Sequence, residues 1–258
     1  MLQKMFPRHY LQQVYQLVFC SLSVRYRRTY LGLFWVVLNP IFVLIVQSVV
    51  FSHLLNIKII PYFLYLISGL LPWLFISQTL EMGTGQLKSQ SLTIKAFFIK
   101  PYLLTISLIL ENLVTLFIAA LLVLVPLYVY YDQSLLLLPL WLLNIIPLSI
   151  AVFSIAFICS TLNVLFSDLR YLIMFLLSIL YFATPIFYTK DLVPAHLQWL
   201  VDYSPLYALL APFQAFALGL GVASWAFLFL KSLGLSLVFL LLSFLHWRKF
   251  KNSFYLNL

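Results

Sequence analysis

The chain has 258 residues, of which 64% are hydrophobic and 8% charged, and its mean hydropathy of +1.08 exceeds what a water-soluble surface tolerates. A soluble globular enzyme is excluded. The formal charge of +9, from 15 Lys and Arg against 6 Asp and Glu, would suggest nucleic acid in a soluble protein. In a membrane protein, basic residues instead hold loops on the cytoplasmic side, so no nucleic-acid partner is expected.

One spanning helix needs about 20 largely apolar residues to cross roughly 30 Å of hydrocarbon, so this length holds at most about seven spans. Transmembrane barrels alternate over segments of about 10 residues, whereas the apolar runs here continue for 20 or more. The expected class is one polytopic, all-α membrane domain.

Lys4, Arg8 and His9 stand in the first 20 residues without an apolar core and small-residue cleavage site, so no removable signal peptide is expected and the mature chain is expected to begin at Met1. Leu11, Val14, Val18 and Leu22 recur at helical spacing, with Gln12, Gln13, Gln16 and Ser23 on other faces. This predicts a cytoplasmic amphipathic interface helix within 1–28. Arg25, Arg27 and Arg28 at its end, within two helical turns of Gly32, fall at headgroup level. They read either as a positive-inside anchor or as a cradle for a lipid-linked phosphate.

Cutting the sequence at its charges leaves uncharged windows at 29–52, 59–80, 112–131, 133–167 and 171–189. The third span is expected to start near Pro101 with Glu111 inside it, and the fourth to include a short outer segment ending near Pro139 or Pro147. A last apolar region, 203–247, is interrupted only by Lys231. With an even number of spans and a cytoplasmic N-terminus, the inside collects Lys4, Arg8, Arg25, Arg27, Arg28, Lys88, Lys95, Lys100, Arg170, Arg248, Lys249 and Lys251, leaving Lys58 and Lys190 outside. A seventh span would put Arg248, Lys249 and Lys251 on the wrong side. Six spans are therefore expected, forming a transmembrane domain over 29–247 whose last span is 225–247, with 248–258 as a cytoplasmic tail.

The stretch 190–221 then lies outside. Pro185, Pro194, Pro205 and Pro212, followed by Gly219 and Gly221, break helices, yet 203–218 is too apolar for a loop in water. A re-entrant pair of short helices is predicted, and such backbone is tolerated only where protein or a water-filled cavity covers it. The alternative is an amphipathic hairpin on the outer interface.

Catalysis requires acids, bases or nucleophiles in one place, but Glu81, Glu111, Asp132, Asp168, Asp191 and Asp202 are scattered, as are His9, His53, His196 and His246. Cys20 and Cys159 fall in different segments and make no metal-ligand pair. There is no H-E-x-x-H, C-x-x-C or G-x-S-x-G. Glu111 is the one acid expected within a span and so a functional candidate; lacking the two repeated halves of a carrier, it is expected to partner a basic or hydroxyl group. The glycines never approach G-x-x-x-x-G-K-[ST], so this chain cannot hydrolyse ATP alone. If it is a pump, a separate ATPase must dock on a cytoplasmic feature. The loop 83–100 suits this, because Leu87, Ile94 and Phe97 or Phe98 punctuate a basic segment carrying Lys88 and Lys95.

Aromatics make up 18% of the chain, with concentrations at Trp35, Tyr62, Phe63, Tyr65, Trp73, Phe75, Tyr181, Phe182, Phe187 and Tyr188. Many belong to interfacial belts or packing. Sugar rings offer flat C–H faces that stack on aromatic planes while their hydroxyls stay wet, so aromatics lining a pore would let a glycan slide. Tyr181, Phe182 and Tyr188, beside Pro185, are the leading candidates.

Four segments, VRYRRTYLGLFWVVLNP at 24–40, PYFLYLISGLLPWLFISQTL at 61–80, STLNVLFSDLRYL at 160–172 and YFATPIFYTKDLVP at 181–194, resemble in order and spacing the membrane subunits of type-2 ABC exporters. The likeness is to permeases for O-antigen, capsule or teichoic acid polysaccharides, O-antigen export above all. It implies six spans, an N-terminal interface helix, a coupling helix in the first cytoplasmic loop and gate helices before the last span. It further implies a homodimer with two copies of an ATPase subunit that holds ATP and Mg, no cofactor in this chain, and residence in the bacterial inner membrane with both termini cytoplasmic. The implied substrate is an undecaprenyl-diphosphate-linked glycan moving through a channel lined by spans one and five, including Trp35 and Phe187. Leu31 and Gly32 would join the arginines at the lipid diphosphate, and Pro194, Trp199, Tyr203, Pro205 and Phe213 would form the outer gate. The chain departs from the family in carrying Ser204-Pro205 for Asn-Pro and Phe166-Ser167-Asp168 for Phe-Arg-Asp. The competing readings are a permease of the same family for a drug or simple lipid, and a polytopic glycan-modifying enzyme.

Overall fold

The computed structural model describes residues 8–27, 38, 41–47, 49–50 and 62–257, and no strand occurs among them. Helix α1 (Arg8–Arg27) precedes the first expected span, most of which lies outside the described residues; 41–47 and 49–50 have helical backbone. Then follow α2 (Tyr62–Ser89), α3 (Ser91–Phe97), α4 (Pro101–Ala119), α5 (Val125–Tyr130), α6 (Leu138–Leu143), α7 (Ile145–Leu165), α8 (Leu169–Ala183), α9 (Gln198–Asp202), α10 (Pro205–Gln214) and α11 (Val222–Asn257).

Among the described residues, four stretches are long and apolar enough to cross a membrane: Tyr62–Ser89, Pro101–Tyr130, Leu135–Leu165 and Val222–Asn257. The second starts with Pro101 in its first turn, where a missing N–H costs nothing. A π-helical turn at Ala120–Leu124 carries it on into α5. In the third, the short leading segment ends at Asn144, between the two prolines expected to mark it, and the buried Asn144 side chain donates to Pro212 O at 3.1 Å.

The fifth expected window, 171–189, forms a helix of 15 residues, Leu169–Ala183, about 22 Å at 1.5 Å per residue and short of the hydrocarbon thickness. It stops because Thr184 precedes Pro185 and is extended, with φ −93 and ψ 134. Helix α11 does not stop at Trp247. It runs through Arg248, Lys249 and Lys251 to Asn257 without a glycine or proline after Gly234, and its Phe254 is fully buried in the same cluster as Leu87 and Ile94.

Helix α2 occupies the centre: 78% of its apolar window is buried, against 17% for α11. Around α2 lie α4, α7, α8 and α10. Helix α11 packs along α7, burying Ser232, Ser236 and Ser243, small residues that let two membrane helices approach closely. Thr161 of α7 and His246 of α11 are 2.8 Å apart across that contact.

Two short helices do precede α11. Ser204 caps α10 by accepting from Tyr207 N at 3.3 Å, and Pro205 fills the first turn. Gly219, at φ 72, supplies the left-handed residue that closes the turns after α10.

Candidate functional site

Residues 41–47, α2 and α8 border a cavity of about 590 Å³, within the about 300–1,000 Å³ usual for ligand clefts. Trp73, Ser77 and Glu81 recur every four residues and therefore share one face of α2. All three line the cavity, with Gln47 and with Ser178, Tyr181 and Phe182 of α8. The Trp73 and Tyr181 rings lie 5.6 Å apart. Tyr181 also meets Phe182 at 5.1 Å and Phe187 at 5.9 Å, and Phe187 meets Tyr188 at 5.1 Å. One aromatic ladder thus runs from the cavity into the segment after α8.

That segment, 184–188, has no regular structure to satisfy its carbonyls, and 184–187 are buried, where unpaired backbone groups are costly. Side chains from two helices do so instead. Tyr62 Oη donates to Phe187 O at 2.9 Å, Tyr65 Oη to Tyr188 O at 2.7 Å and Gln214 Nε2 to Ile186 O at 3.1 Å. Tyr188 Oη donates back to Phe182 O at 3.1 Å. Further along, Lys190 Nζ lies 2.5 Å from Asp202 Oδ1, while Lys231 Nζ donates to Asp202 O at 3.0 Å. This ties the carbonyl end of α9 to α11, where a cation suits the helix dipole.

At the Ser89 end of α2, the loop residues divide sharply. Leu87 and Ile94 are buried with Val14 of α1 and Phe254 of α11, whereas Phe97 and Phe98 are 70% and 90% exposed. Phe98 takes a left-handed φ of 51, which ends α3. Lys88 donates to Ser167, linking α2 to the turn before α8, and Lys95 is exposed. Lys100 Nζ lies 4.4 Å over the Tyr10 ring, and a hydrogen bond with Tyr10 raises its pKa above the ordinary lysine value. A second cavity, of about 500 Å³, is lined by Cys20, Gln86, Ser89, Glu111 and Arg170 among others. Glu111 is 5% exposed there, one residue before Asn112, whose Nδ2 donates to Thr79 Oγ1 at 2.9 Å.

Of the expected aromatic residues, Tyr181 and Phe182 line the first cavity, while Phe187 is core-packed and Tyr188 half-buried beside it. Of the expected gate residues, Pro194, Trp199, Tyr203 and Pro205 are exposed, but Phe213 is a core residue, 5.0 Å from the Trp141 ring. The structure does not gather these five at one place on the surface. Arg25 and Arg27 belong to the last turn of α1, their side chains outside what is described; Arg28, Leu31, Gly32 and Trp35 lie outside the described residues altogether. Gln47 and Glu81 were not among the sequence candidates. The signal for Glu81 was available, because Trp73, Ser77 and Glu81 stand four apart.

Among the described residues, a helical bundle with four helices of spanning length, cavities bordered by helices and no regular backbone at 184–188 marks a multi-pass membrane protein. Residues 12–218 match the ABC-2 type transporter family, and the chain belongs to it as a membrane permease. It is similar to the O-antigen export system permease protein RfbA of Klebsiella pneumoniae, 28% identical over 189 residues that make up 72% of each chain. A protein of the same name from Myxococcus xanthus is 26% identical over 204 residues, 76% of each chain.

Proposed function

We propose that this chain is the membrane half of an ATP-driven exporter that moves a glycan linked to undecaprenyl diphosphate outward across the bacterial inner membrane. The observation that carries the reading is the aromatic cavity at Trp73, Tyr181 and Phe182, a surface on which sugar C–H faces stack without tight binding. Its similarity to O-antigen export permeases supports the same substrate class.

In this reading the chain has six spans, both termini are cytoplasmic, and the Ser89 end of α2 faces the cytoplasm. Two copies assemble around one pathway, as closed symmetric assemblies usually do. Two ATPase subunits, holding ATP and Mg, dock on α3, whose exposed Phe97 and Phe98 insert into them while buried Leu87 and Ile94 carry the push into the bundle. Arg25, Arg27 and Arg28, with Leu31 and Gly32, hold the lipid diphosphate by charge-assisted hydrogen bonds. The short helices before α11 open outward to release the chain, with Pro194, Trp199, Tyr203 and Pro205 at the rim.

The test is to tag the protein in its native membrane, purify it in mild detergent and assay for a stoichiometric co-purifying ATPase. Deletion of the permease is then expected to trap lipid-linked glycan inside the cell. Accumulation of a drug or simple lipid instead would move the assignment within the family, and turnover of lipid-linked sugar without ATP would indicate an enzyme.

A further inference from the structure

Beside the donors on Gln47 Nε2, Trp73 Nε1 and Tyr181 Oη, the polar lining of the aromatic cavity presents acceptors and a single negative charge. Gln47 is 9% exposed, and its Oε1 is buried without a hydrogen-bond partner among the described residues. Ser77 and Ser178 spend their hydroxyl hydrogens on their own helix, donating to Leu74 O at 3.2 Å and Met174 O at 3.0 Å. Only their lone pairs remain for anything in the cavity. The one charged group among the described lining residues is the Glu81 carboxylate, another acceptor. Arg170 is in the other cavity, packed against Gly85, one helical turn beyond Glu81.

We infer that this cavity selects an uncharged, hydroxyl-rich glycan and rejects polyanionic chains, with Gln47 and Glu81 as specificity residues. A sugar hydroxyl donates to these acceptors, whereas a carboxylate or phosphodiester has no hydrogen to donate and meets Glu81 as a like charge in partly desolvated surroundings. The inference rests on the glycan-export reading above and narrows its substrate class.

The test uses inverted membrane vesicles carrying the permease with its ATPase. They are supplied with a lipid-diphosphate-linked neutral glucan oligomer, or with the same oligomer after oxidation of its C6 hydroxymethyl groups to carboxylates. Length and linkage are then identical. The neutral chain is expected to be delivered at least about tenfold faster, since like-charge juxtaposition suppresses wrong partners. Glu81→Gln is expected to narrow that ratio, and Gln47→Leu to slow the neutral chain. Raising the salt is expected to narrow the wild-type ratio too, which needs no variant to fold. Equal delivery of both chains at low salt overturns the charge selection and leaves the export reading intact. Delivery of neither, while ATP is hydrolysed, overturns the export reading and this inference with it.

Discussion

Gly69 of α2 exists for Gln214 of α10: a β-carbon on Gly69 would collide with the Gln214 carboxamide, whose Nε2 donates to Ile186 O at 3.1 Å. A single hydrogen atom at position 69 therefore lets α10 fasten the segment after α8. Gly69→Ala is expected to destabilise the protein by about 1–3 kcal/mol, the range for overpacking a filled site. In a Gln214→Ala background the same change should cost far less. Thermal unfolding of the four proteins in one detergent reads the coupling directly; additive losses would show that the two positions act separately.

The Tyr62 and Tyr65 hydroxyls hold the same segment from α2. Replacing Tyr62 by Phe removes the hydrogen bond to Phe187 O, and replacing Tyr65 removes those to Tyr188 O and Pro185 O, at about 1–3 kcal/mol each. Amide hydrogen exchange at 184–188 is expected to rise in both variants while α7 stays protected. Unchanged exchange would mean that the aromatic packing alone holds the segment.

The division of the α3 region between buried and exposed residues separates two kinds of variant. Ile94→Ala empties a buried site and should cost about 2–5 kcal/mol. Phe98→Ala, 90% exposed, should leave stability within about 0.5 kcal/mol yet weaken retention of the ATPase on a tagged permease. If Phe98→Ala retains the ATPase as well as the parent protein, docking lies elsewhere.

Trp73→Ala and Tyr181→Ala remove facing rings 5.6 Å apart. Both are expected to shorten or abolish exported chains, with a loss that grows with chain length because each repeat must cross the same surface. Export measured by chain-length distribution checks this, and a uniform loss at all lengths would point instead to a defect of folding or assembly.

Much of the fold was legible because the physics that sets it is local. Pro101 opens a helix and Gly219 turns the chain before α11, both residue types whose backbone preferences need no partner, whereas Pro212, expected to break a helix, lies inside α10. The shortness of α8 was also written locally, in Thr184-Pro185, though the uncharged window ran past it. What was not legible depends on contacts far apart in sequence. Charge cutting ended the second window at Leu80, whereas α2 continues to Ser89 with Gly83, Thr84 and Leu87 buried against its neighbours. Likewise nothing near Phe213 distinguishes a gate residue from one packed on Trp141, and nothing near Gln47 announces a buried acceptor. The same holds for the aromatics: Tyr181 and Phe182 reach the cavity, while Phe187, on the far side of the Thr184-Pro185 break, is turned into the core.

The most direct measurement places a photo-activatable benzoylphenylalanine at Tyr181 in cells that export the glycan, with Phe244 on α11, 57% exposed, as the control position. Glycan-export through this cavity predicts ultraviolet-dependent, glycan-modified permease at position 181 that requires the active ATPase, and none at position 244. Equal labelling at both positions, or none at 181 while export continues, would contradict it.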